Sequence, residues 1–121
     1  MPIEIIREKI TPDKLKKLCE DSFGKTIKIV VDIDRGILAA GGELHADEEA
    51  ILLEDGSRQE ALWGGNFYPY KSAEERIEYL ALINIRPTQG NKSMKIEDTT
   101  IRAKFRSICE KLLLGQDEQM A

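Results

Sequence analysis

Aromatic side chains are scarce in this chain, at 6% of 121 residues, so its core must rest on Ile, Leu, Val and Ala. Histidine is scarcer still. His45 stands alone, which excludes paired-histidine metal motifs such as HExxH. The two cysteines form no CxxC motif and read as reduced, small core residues rather than redox partners. No apolar run approaches the roughly 20 residues that a membrane helix needs. The start MPIEIIREK also lacks the apolar stretch of a signal peptide. A cytoplasmic protein without membrane contact is therefore expected. Bases are outnumbered by acids, 18 to 22, and a net charge of -4 disfavours general phosphate-backbone binding. GKT at 24–26 lacks the upstream glycine of a phosphate loop, and no serine sits in a nucleophile-elbow context. No cofactor is expected.

Enough remains for one folded domain. Hydrophobic residues reach 41% and charged residues 33%, and a chain of this length buries about two thirds of its unfolded surface. Residues 1–115 read as a single domain and 116–121 as a frayed tail. IEIIR (3–7) has strand composition. Thr11 caps a helix with Pro12 at its first position and Asp13 at its positive end, Leu15, Leu18, Cys19 and Ser22 or Phe23 form the buried stripe, and Gly24 stops it. KTIKIVVDID alternates with period two: Ile27, Ile29, Val31 and Ile33 on one face, Val30 on the other. Ile37 to Ala40 returns as a second strand after the turn Asp34-Arg35-Gly36.

Residues 43–54 read as a strand or a pair of strands, with Asp55-Gly56 as a hairpin turn leading into EALWGGNFYP. Ile77 to Arg86 reads as another long strand, ended by Pro87. Asp98 caps a last helix with the stripe Ile101, Phe105, Ile108 and Leu112, stopped at Gly115. Helices at both ends and strands between them predict an α+β fold: a largely antiparallel sheet with an N-terminal and a C-terminal helix packed on one face.

Two candidate sites follow. The first lies in GGELHADEE (41–49). On a strand, Glu43, His45 and Asp47 point the same way with about 7 Å between neighbours. Carboxylate and imidazole are proper ligands for a divalent metal, but three on one open strand leave the coordination shell unclosed. In the hairpin register Leu52 faces Gln59, Glu48 faces Trp63 and His45 faces Asn66, which makes the histidine row the polar face of a half-buried hairpin. A bulge at Gly64-Gly65 would shift the last pairs by one. Glu48 then falls on the apolar face, where burial would raise its pKa, unless a strand break turns it to solvent, which is the expected outcome. The second candidate joins WGGNFYP to NIRPTQGNKS. Trp63, Asn66, Tyr68, Asn84, Arg86, Gln89 and Asn91 are aromatic, amide and guanidinium groups beside glycines, a composition that suits a ligand site and also suits ordinary loops.

Charge is unevenly spread. Residues 32–55 carry eight acids against Arg35 alone, whereas 86–106 carry six bases against Glu97 and Asp98. Opposite patches of this kind steer self-association or a charged ligand.

The stretches VDIDRGILAAGGELHADEEAILLEDGSRQEALWGGNFYP (31–69) and INIRPTQGNKSMKIEDTTIR (83–102) resemble a family of small uncharacterised prokaryotic proteins, a domain of unknown function. The resemblance implies a small free-standing prokaryotic protein and assigns no residue a role. Two functional classes stay open. One is a binding or self-associating module that uses the loops around Trp63 to Tyr68 and Arg86 to Asn91, with a homo-oligomer as one form of partner. The other is a small metal-assisted hydrolase built on Glu43, His45 and Asp47 with Asn66 or Tyr68. A weaker third is a single-stranded nucleic-acid contact through the basic segment 86–106.

Overall fold

The computed structural model describes residues 2–120. Five strands, β1 (Glu4–Ile6), β2 (Ile27–Asp32), β3 (Ile37–Ala40), β4 (Leu62–Phe67) and β5 (Ile77–Glu78), form one antiparallel sheet in the order β1-β3-β2-β4-β5. Helices α1 (Pro12–Asp21), α2 (His45–Glu54) and α3 (Thr99–Leu112) complete the α+β fold.

The terminal helices form where their local chemistry directs. The Thr11 hydroxyl accepts from the Lys14 N–H at the start of α1, and Pro12 follows it in the first turn. Asp98 accepts from the Thr100 and Ile101 N–H groups at the start of α3. Both helices cover one sheet face, where Leu15, Leu18, Cys19, Phe105, Cys109 and Leu112 meet Ile27, Ile29, Val31, Leu38, Trp63 and Phe67. The other face carries Val30, Ile37, Ala39 and Leu62 and is closed by Leu52 of α2, with Ile83 packed against it.

Helix α2 is the main departure from expectation: residues 45–54 are helical, not a hairpin strand. Topology demands it. Strands β3 and β4 flank β2 and are both antiparallel to it, so they run parallel to each other, and parallel strands cannot be joined by a tight turn. The chain must cross a sheet face, and the Ala-, Glu- and Leu-rich segment HADEEAILLE makes that crossing as a helix. Asp55-Gly56 therefore ends a helix. Asp55 is its C-cap, and Gly56 follows at φ 104°, a left-handed conformation that glycine adopts freely. Asp55 also receives Arg7 and Arg35, each at 2.7 Å, and their hydrogen bonds hold its carboxyl below the ordinary range.

The second departure is the segment after β5. Instead of one strand through Arg86, it makes an isolated bridge from Leu80 to Lys95 and two short 3-10 turns at Leu82–Asn84 and Pro87–Gln89. The expected short link at 69–76 does bring β5 beside β4, with Asn66 opposite Glu78. Gly64 and Gly65 hold no bulge, since β2 and β4 pair in regular register through both. They are glycines because neighbours press on the strand from both sides. A Cβ on Gly64 would lie 2.7 Å from the Ala81 Cβ, and one on Gly65 would lie 2.8 Å from Phe105 Cζ. The tail expected to fray folds back: Met120 packs on the core, and Arg76 donates to the Gly115 carbonyl at 2.8 Å and to that of Glu118. Its last residue, 121, lies outside the described residues.

Candidate functional site

On the α2 side of the sheet the chain leaves a cavity of about 390 Å³. Lys28 and Asn66, paired across β2 and β4, supply part of its lining from the sheet. Leu44, His45 and Ala46 enter from the start of α2, and Leu80 to Ile83 and Met94 from the irregular segment after β5. That segment is held in place by the Asn84 side chain. Its carboxamide accepts from the Gly64 N–H at 2.8 Å and donates to the Gly64 carbonyl at 2.9 Å and the Met94 carbonyl at 3.0 Å. It thereby substitutes for a missing neighbour strand. Asn84→Ala should cost about 1–3 kcal/mol in urea unfolding, the usual penalty for a buried group left unsatisfied. An unchanged midpoint would show that the Gly64 backbone finds other partners.

The cavity is apolar with three polar groups. His45 Nε2 lies 2.8 Å from the Gly65 carbonyl. A carbonyl only accepts, so Nε2 carries the proton and Nδ1 is left as an acceptor in the neutral ring. Burial lowers the pKa of His45 and the Lys28 charge adds to the effect, against the Gly65 carbonyl and Asn66, which favour protonation. The imidazole is therefore neutral at pH 7. Lys28 is half-buried, with its ammonium 5.5 Å from the Phe23 ring centroid. Asn66 donates to Glu78 at 2.8 Å. At the rim Leu44 and Leu82 are 56% and 70% exposed, large values for leucines beside a pocket.

The candidate residues separate. Glu43, His45 and Asp47 no longer form a row: Glu43 precedes the helix and its cap Leu44, and His45 and Asp47, two apart at the helix start, point about 200° apart. Glu43 and Asp47 are exposed, and the described residues contain no group of three or more His, Cys, Asp or Glu side chains placed to hold a metal ion. Glu48 is not turned to solvent as expected. It is fully buried beneath α2, with Oε2 accepting from the Gly42 N–H at 2.9 Å and Oε1 without a partner. Burial pushes its carboxyl up to about 9.

The two loops do converge, at the free edge of β4, but mostly to hold the fold. Arg86 donates to the Leu62 carbonyl, pairs with Glu49 at 3.3 Å and lies 4.8 Å over the Trp63 ring. The acidic and basic stretches thus meet within one molecule. Asn91 donates to the carbonyls of Asn84, Ser93 and Lys95, and Gln89 donates to that of Glu60. Trp63 is buried on the α1–α3 face, and Tyr68 donates to Glu78 at the sheet edge. Of these residues only Asn66 lines the cavity, where it meets His45, which the strand reading had placed opposite it for a different reason. Sequence reasoning missed Lys28, Leu80 to Ile83 and Met94. The alternation that puts Val30 on the second face puts Lys28 there too, and that was the available signal.

No helix among the described residues is long and apolar enough to cross a membrane. No curated protein and no solved structure is significantly similar to the chain. Residues 4–112 match a family described as "Protein of unknown function (DUF5674)", and the chain belongs to that family.

Proposed function

We propose that this protein is a binding module that takes a small, largely apolar molecule into the cavity between α2 and residues 80–83. The supporting observation is the composition of that cavity: Leu44, Ala46, Leu80, Ala81, Leu82, Ile83 and Met94 surround Lys28, His45 and Asn66 in about 390 Å³. Ligand pockets have this size and this pattern, an apolar wall with a few polar groups that fix orientation. The expected result is saturable binding of the neutral dye N-phenyl-1-naphthylamine with a rise in its fluorescence. Ala46→Trp, at an exposed position on the cavity wall, should abolish it by filling the space. No binding to the wild type, or equal binding to the variant, would overturn the reading.

The exposed Leu44, Leu82 and Met94 at the rim favour a second reading, self-association through the same face. Sedimentation would show it as a dimer that Leu82→Glu converts to a monomer, and a wild type that stays monomeric would remove it.

A further inference from the structure

We infer that the ligand of this cavity carries an acidic head group, with an apolar body along the Leu44, Leu80, Leu82, Ile83 and Met94 wall and its anion on the Lys28 ammonium; this rests on the binding reading above. Lys28 is the one residue of the lining that is charged at neutral pH. Among the described residues no carboxylate lies within 4.0 Å of its ammonium, and its one assigned contact is the Phe23 ring. Two nearby groups do not supply the counter-charge. Glu78 lies beyond the 4.0 Å of an ion pair with Lys28, its Oε1 turned to Asn66 and Tyr68. Glu48 is sealed under α2 on the Gly42 N–H, and its raised pKa keeps it neutral at pH 7. An unpaired cation beside an apolar wall attracts an anion more strongly than it would in open water, because the wall excludes solvent and its screening. The neutral His45 ring beside it adds no competing charge. A neutral alcohol of the same body would gain only the wall, and an amine would be repelled.

The experiment displaces N-phenyl-1-naphthylamine with decanoate, 1-decanol and decylamine at pH 7. Decanoate should compete about 10-fold better than 1-decanol, the factor that a charge-assisted bond of roughly 1.4 kcal/mol supplies, and decylamine should compete worst. In Lys28→Met the decanoate preference should vanish while 1-decanol competes as in the wild type. Equal displacement by decanoate and 1-decanol, or a decanoate preference that survives Lys28→Met, would overturn the acidic head group and leave the pocket standing. Failure of the dye and of all three decyl compounds to bind would remove the pocket reading itself.

Discussion

Between pH 5 and pH 8 the wild-type protein should lose about 4 kcal/mol of folding stability relative to Glu48→Gln. The cause is the burial of Glu48. In the folded chain its carboxyl is raised to about 9 from an ordinary 4.5. Across that interval the unfolded chain has released this proton and the folded chain has not. The folded state then binds one proton more, so raising the pH favours unfolding by roughly 1.4 kcal/mol per pH unit. The contribution is fully present below about pH 4.5 and is lost as the pH rises toward 9. Glutamine keeps an acceptor for the Gly42 N–H but has no proton to lose, so its own stability should lack this slope. Its absolute stability at one pH is less telling, because the added NH₂ is itself buried. Urea unfolding of both proteins at several pH values measures the difference. A difference independent of pH would mean that Glu48 reaches water or a cation in the folded state.

Phe105→Ala should cost about 3–5 kcal/mol, the range for a fully buried phenylalanine. The ring is 0% exposed and meets Tyr79 edge-on at 5.5 Å. It also lies directly on the backbone of β4, because Gly65 has no Cβ to hold it off. A cavity left there would be backed by β4, which β2 holds along its whole length and which cannot collapse inward, so the upper half of the range is expected. Phe105→Leu should recover most of the loss. A cost under about 1 kcal/mol for the alanine variant would show that α3 contributes little to the cooperative unit.

These two positions differ in how they could be foreseen. Phe105 falls on an apolar stripe at helical spacing behind the Asp98 cap, and both signals lie within a few residues of each other. The same locality made α1, β2 and β3 readable, together with the assignment of Ile27, Ile29 and Val31 to one face and Val30 to the other. A cap, a proline at a first turn or a period of two acts through neighbours in the chain, so the sequence by itself determined these elements and the α+β class.

Residues 44–53 carried two patterns at once. Leu44, Ala46, Ala50 and Leu52 fit a strand, while Glu48 and Leu52 fit one face of a helix that has a carboxylate in an apolar place. Asp55-Gly56 suits a hairpin turn and a helix end equally well. Only the tertiary structure decided between them, because the deciding fact is that β2 lies between β3 and β4 and the chain must cross a face to join them. The irregular course of 80–96 was settled in the same way, by side chains that reach far along the chain. Asn84 completes the edge at Gly64, twenty residues away, and Arg86 bridges to Leu62 and Glu49. The cavity is a product of those choices. His45 comes from the crossing helix, Lys28 and Asn66 from two strands and Leu80 to Met94 from the held segment, so no local stretch of sequence contains it.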